Sequence, residues 1–171
     1  ADYASTAPID ESFACLPAGA YGTSKLEAES LTFETRHQIE TVVIRPCLVY
    51  GPDSKGNLTK MAEAIRKNRF PPIPEFGNRR SVVHVDDLCR LALATATQVQ
   101  AEGEVFIAAE PQAYSTREMY ELVLKAINRK APSWSIPKPI LSALGLGGDL
   151  IGKLRGKRFV FDSDALGKLS E

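Results

Sequence analysis

Apolar residues recur along this chain with two different periods. Thr41 to Arg45, Ser81-Val82-Val83 and Val105-Phe106-Ile107-Ala108 are short, nearly continuous runs rich in β-branched residues. Such runs predict strands buried on both faces, as in a parallel sheet. Between them the spacing turns helical. Tyr21 to about His37 carries Leu26, Leu31 and Phe33 among polar residues, with Glu27, Glu29, Glu34 and Arg36 expected mostly to face water. Asn57 to about Arg69 aligns Leu58, Met61, Ala62 and Ile65, and Arg117 to Asn128 aligns Met119, Leu122, Val123, Ala126 and Ile127. Leu88 to Gln98 reads as a further helix. Start signals accompany them: Asn57 as an N-cap, Asp86 or Asp87 as the next, and Ser115-Thr116-Arg117-Glu118 as a capping box. Ala1 to Ala20, Pro46 to Gly56 and Phe70-Pro71-Pro72-Ile73-Pro74 read as loop. Trp134 with Ile136 suggests a short strand with a packed ring. Arg158 to Asp162 suggests a last strand, and Asp162 to Leu169 a closing helix.

Composition narrows the class. A chain of 171 residues can bury one core, or one and a small lobe. Its 44% hydrophobic and 25% charged content is that of an ordinary globular protein. Twenty-one basic and 21 acidic side chains cancel, which argues against a nucleic-acid partner. Cys15, Cys47 and Cys89 are odd in number and lack CxxC spacing, which suits reduced thiols better than a disulfide framework or zinc site. No apolar run approaches the roughly 18 residues of a membrane span, and Ala1 to Asp10 does not read as a signal peptide.

The candidate chemistry begins at Tyr21-Gly22-Thr23-Ser24-Lys25. A tyrosine and a lysine four apart share one helix face. A cation beside a phenol favours the phenolate, and such a phenol can act as general acid and base on a hydroxyl or carbonyl. Lysine brings three donors able to hold a ribose. An ordinary amphipathic helix gives the same spacing by chance. Asn57 opens a helix, and free N–H groups at a helix start attract anions, to which Lys55 would add charge. Arg79 and Arg80 carry planar forks suited to phosphate oxygens. Arg45 suits a salt bridge at a strand end as well as a site role. His84-Val85-Asp86-Asp87 supplies no converging metal-ligand set. Gly145-Leu146-Gly147-Gly148 follows no strand and reads as a flexible turn.

Taken together, Tyr21 to Glu29, Val42 to Pro52, Lys55-Gly56-Asn57-Leu58 and Arg79 to Leu88 resemble the extended short-chain dehydrogenase/reductase family. Within it the likeness is to the NAD-dependent epimerase/dehydratase members, those similar to UDP-glucose 4-epimerase. The resemblance implies an α/β fold: the C-terminal part of a doubly wound, Rossmann-like parallel sheet plus a small α/β substrate-binding lobe. Residues 1–52 and 79–110 would form the sheet domain, and 53–78 and 111–171 the lobe. It implies that Tyr21 and Lys25 are catalytic and touch the cofactor, NAD or NADP, with Pro46 and Leu48 beside the nicotinamide. Asn57, Leu58, Arg80 and Arg79 would hold the diphosphate of a nucleotide-sugar, a UDP-sugar first. It further implies a cytoplasmic homodimer through the Tyr21–His37 helix.

The family's Gly-rich pyrophosphate turn has no counterpart in this chain, and Ser5 and Thr6 fall too late to match its catalytic Ser or Thr. The expectation is therefore that the N-terminal dinucleotide-binding half lies outside this sequence, and that the chain alone binds NAD(P) weakly. Pro137 to Leu150, followed by Lys153, Arg155, Lys157 and Arg158, would close over the diphosphate. A membrane-surface segment is the alternative, disfavoured by glycines at 145, 147, 148, 152 and 156. A 4-epimerase is preferred to a 4-keto-sugar reductase or dehydratase, and a non-catalytic sensor of the same fold is the third reading.

Overall fold

The computed structural model describes residues 8–17, 19–54, 56–143 and 167. The readings placed on Ser5, Thr6, Lys55 and residues 144–166 and 168–171, including the Gly145–Gly148 cluster, the basic run and the final strand and helix, lie outside the described residues. The chain divides into two compact units, Ala1–Ser54 with Val82–Pro111, and Lys55–Ser81 with Gln112–Glu171.

The first unit is built on parallel pairings. β1 (Val43–Pro46) pairs with β4 (Val105–Ala108), Val43 opposite Val105 and Pro46 opposite Ala108. Cys47 donates its N–H to Ala108 O at 3.1 Å, and there the strand changes partner. β2 (Leu48–Tyr50), expected to be loop, continues in parallel register with β3 (Arg80–His84), Leu48 opposite Val82. β1 ends at Pro46 as expected, but the chain does not turn to loop there. The proline has no N–H to donate, and from Leu48 the chain pairs with β3 instead of β4. Glu110 N–H donates to Val82 O at 2.8 Å, and the Tyr50 hydroxyl donates to Glu110 Oε1 at 2.6 Å. The Tyr50 ring meets His84 edge-on at 5.1 Å.

Gly51 ends β2 at φ +128°, where a Cβ would come within 2.7 Å of Val85 Cγ1, so glycine is required twice over. α3 (Val85–Thr97) starts three residues earlier than the acids suggested. Its N-cap is His84, whose Nδ1 accepts the Asp86 N–H, and Asp86 and Asp87 instead fill the first turn, favourable for the helix dipole. Along β4, the outward-facing Ile107 N–H is taken by the Glu11 carboxylate at 2.8 Å. That bond holds the Glu11 carboxyl below the usual carboxylate range.

The second unit packs two helices over a proline-rich loop. α2 (Asn57–Arg66) buries Met61 and Ile65. α4 (Thr116–Ala126) buries Thr116, Met119, Tyr120 and Leu124. Leu122, expected in the core, is exposed: the buried row runs 116, 119/120, 124, and residue 122 stands on the opposite side. The Ser115 capping box forms as read, each partner accepting the other's backbone N–H. β5 (Ala113–Tyr114), not foreseen, pairs antiparallel with the start of β3, Arg80 opposite Tyr114. Ile73 is fully buried, and Phe70 stacks on Tyr120 at 5.8 Å. Arg117 donates to Ile73 O, Pro132 O and Glu121 Oε1. Trp134 and Ile136 form no strand, though Ile136 N–H donates to Pro72 O, and the Trp134 ring is 61% exposed rather than packed. Residues 138–143 are helical, with Leu141 buried.

Ile73→Ala is expected to cost about 2–5 kcal/mol through lost burial and an unfilled cavity. Urea denaturation of the variant against the wild-type chain measures this.

Candidate functional site

α1 (Ala20–Glu34), followed by a single 3-10 turn over Thr35–His37, carries the tyrosine and lysine. No residue of α1 is fully buried. Its half-buried positions, Gly22, Leu26, Glu29, Thr32 and Phe33, recur at helical spacing and mark the face turned to the protein. Glu29 therefore does not face water. Its carboxylate takes a two-pronged contact from Arg45, Nε to Oε2 at 3.1 Å and Nη2 to Oε1 at 2.5 Å. This is the salt-bridge side of the Arg45 reading. Gly22 sits where a Cβ would come within 2.9 Å of the Pro17 side chain, so the loop before α1 lies close against its first turn.

The Lys25 ammonium lies 5.7 Å from the centre of the Tyr21 ring, within cation–π range. Tyr21 is 77% exposed and Lys25 is exposed, so neither side chain is closed off by the protein. Pro46 and Leu48 flank the point where the strand leaves β4 for β3, Pro46 exposed and Leu48 half-buried. These four residues all belong to the first unit.

Asn57, Leu58, Arg79 and Arg80 belong to the second. Asn57 is not the N-cap of α2. Gly56 holds that position, Asn57 is the first helical residue, and no side chain caps the helix. The start of α2 therefore presents backbone donors and an exposed amide. Arg80 is half-buried at the first position of β3. Arg79 is turned to the protein's own groups: its Nη1 donates to Ala113 O at 3.2 Å and to Glu118 Oε2 at 2.9 Å.

Sequence reasoning missed the residues that hold this corner. β3 and β5 pair 80 with 114 and 81 with 113, so the same register brings 78 opposite 116. There the backbone ladder cannot continue, because Thr116 has entered α4. The Asn78 side chain takes over: Oδ1 accepts the Thr116 N–H at 3.2 Å and Nδ2 donates to Thr116 Oγ1 at 2.8 Å. Glu75 adds a second tie, accepting Gly77 N–H at 2.8 Å and the Ser115 hydroxyl at 2.8 Å. The Gly77 N–H is the main reason its carboxyl sits below the usual carboxylate range, against an opposing push from burial. The signal was present only as an unread pairing of two loops 38 residues apart.

Charge also sorts between the units. The second holds 17 basic and 8 acidic residues, net +9; the first holds 4 and 13, net −9. The overall zero is a cancellation. Among the described residues no group of three His, Cys, Asp or Glu side chains could hold a metal ion, and no helix is long and apolar enough to cross a membrane.

The chain is similar to several known proteins. The model of the NAD dependent epimerase/dehydratase family matches residues 2–109. A UDP-glucose 4-epimerase of Vibrio cholerae is 33% identical over 152 residues, 85% of this chain and 43% of that protein. An N-acetyl-α-D-glucosaminyl-diphospho-ditrans,octacis-undecaprenol 4-epimerase of Escherichia coli O157:H7 is 25% identical over 158 residues, 90% of this chain and 48% of that one. The chain thus spans about half the length of these relatives. Among solved structures, the UDP-glucuronic acid 4-epimerase of Bacillus cereus, in complex with UDP-glucuronic acid and NAD, superposes with a TM-score of 0.64 at 18% identity, over 77% of this chain and 46% of that one. At that identity the likeness speaks for the fold.

Asn78→Ala leaves the buried Thr116 N–H without its partner and is expected to cost about 1–3 kcal/mol, read by denaturant unfolding. For Glu75 the folded carboxyl titrates below its ordinary value of 4.5, so its contribution is complete above that pH and is lost as pH falls through the folded value. Glu75→Gln is therefore expected to lose less stability than the wild type on acidification below about 4.5. Melting curves across that range check it.

Proposed function

The chain belongs to the NAD dependent epimerase/dehydratase family, and on that premise we propose that it supplies the acid–base pair and the diphosphate grip of a nucleotide-sugar 4-epimerase. The observation that carries the reading is the Lys25 ammonium beside the exposed Tyr21 phenol. Tyr21 takes the proton from the sugar 4-hydroxyl as C4 is oxidised and returns it when C4 is reduced. Lys25 stands within cation–π range of that ring and offers its donors to the cofactor ribose. The residues fit that end of a nicotinamide dinucleotide: an exposed ammonium and phenol one helical turn apart, on the same unit as Pro46 and Leu48. When bound, the dinucleotide accepts and gives back the hydride.

The sugar's diphosphate is assigned to the second unit. The uncapped start of α2 at Asn57 and Leu58 offers backbone donors, and Arg80 a guanidinium held on a clamped strand. Arg79 contributes field rather than contact, because its guanidinium is taken by Glu118 and Ala113. A net charge of +9 suits an anionic ligand on this unit. We extend the family's dimeric arrangement to this protein, with the exposed flank of α1 as its contact.

In the whole protein that carries this chain, Tyr21→Phe is expected to lower turnover of UDP-sugars by roughly 10²–10⁴-fold while leaving UDP affinity unchanged. Epimerisation without net change in NAD(P)H supports the proposal. Stoichiometric NADPH consumption replaces it with a keto-sugar reductase. Unchanged turnover of the variant removes Tyr21 from the chemistry.

A further inference from the structure

The face that α1 turns to the protein carries a charge where its pattern calls for an apolar side chain. Leu26 precedes Glu29 on that face and Phe33 follows it, and an ordinary amphipathic helix would place a third apolar group between them. The strand opposite has the matching exception. β1 runs Val43-Ile44-Arg45, paired along its length with β4, and its third residue is a half-buried guanidinium. The fork of Arg45 takes both carboxylate oxygens of Glu29.

Stability does not call for this arrangement. Two charges drawn largely out of water lose hydration that their attraction roughly repays, and apolar side chains of similar volume commonly hold such a place as well or better. Apolar packing, however, has no direction. A planar fork closed on a carboxylate does, and it selects one rotation of the helix about its axis. The choice matters because α1 buries no residue fully, so packing alone sets that rotation loosely. Up the same helix stand Lys25, one turn before Glu29, and Tyr21, one turn before Lys25.

We propose that Arg45 and Glu29 are positioning residues for the acid–base pair: their contact sets the rotation of α1 and with it the aim of the Tyr21 hydroxyl. This rests on the reading of Tyr21 as acid and base. A displacement of about 1 Å in a reacting group can cost about 100-fold in rate. The pair is therefore a determinant of turnover, and neither of substrate binding nor of stability.

The test uses the whole protein that carries this chain, on the UDP-sugar it turns over fastest. The double variant R45M/E29L removes both charges together and strands neither. It is expected to keep or raise the melting temperature and to keep KM, while kcat falls at least about tenfold. R45K keeps the charge without the fork and is expected to lower kcat about tenfold at an unchanged melting temperature. Added to Tyr21→Phe, R45M/E29L is expected to cost less than about twofold more, because the pair acts through the phenol. Wild-type kcat in either variant, a loss that only follows a lowered melting temperature, or a full further loss on top of Tyr21→Phe overturns the proposal. Failure of the acid–base reading is told apart by Tyr21→Phe alone: undiminished turnover there removes that reading and this proposal with it.

Discussion

The Arg45–Glu29 ion pair is the contact on which the placement of α1 depends. α1 is 15 residues long and buries none of them fully, so little apolar area holds it. What fixes its rotation is a planar guanidinium at the end of β1 gripping a carboxylate on the helix, with 26% and 16% of the two side chains exposed. Two parallel prongs define an orientation as well as an attraction. Glu29 stands one turn beyond Lys25, and Lys25 one turn beyond Tyr21, so the three share a ridge along the helix. Setting the azimuth of Glu29 against the strand sets that of the phenol. The partner that does this, Arg45, lies at the carboxyl end of a parallel strand, where doubly wound sheets keep their ligands.

The second unit solves a similar problem by a different route. Arg80 must be held at the start of a strand whose backbone pairing lasts only two residues on that side. Asn78 prolongs the pairing with a side chain where the opposite backbone has become helix, and Glu75 anchors the same turn to the capping serine. Thr116 is 2% exposed, so the clamp works out of water, where an unmade bond is expensive. Arg79 joins the same corner through Glu118, the acid of the capping box. One helix start thus serves the helix and the start of β3 together.

What could be read in advance followed from local rules. Tyr21 and Lys25 are four apart on a helix, and they meet. Ser115 and Glu118 form their capping box because both partners are neighbours in the chain. Strands written in β-branched residues appeared near where their composition put them. The misses share a cause: each was decided by a distant partner. β2 and β5 exist because β3 is there to pair with them, and neither Leu48-Val49-Tyr50 nor Ala113-Tyr114 is long enough to announce itself. Gly56 and His84 displaced the acids and amides expected as caps, since the incoming chain fixed where each helix could begin. Glu29 read as a solvent residue until its partner 16 positions away was placed. The charge sum concealed most of all, because opposite excesses belong to interleaved segments that only the fold separates.

That interleaving has a consequence for how the protein is made. Each unit is assembled from two stretches, and the chain passes from one to the other and back before either is closed. On the ribosome, residues 1–54 emerge long before β4 can pair with β1, and 55–81 must wait for α4. The first unit has all its residues only at Pro111 and the second needs the stretch after it, so a nascent chain halted near residue 100 would hold two unfinished cores of opposite charge.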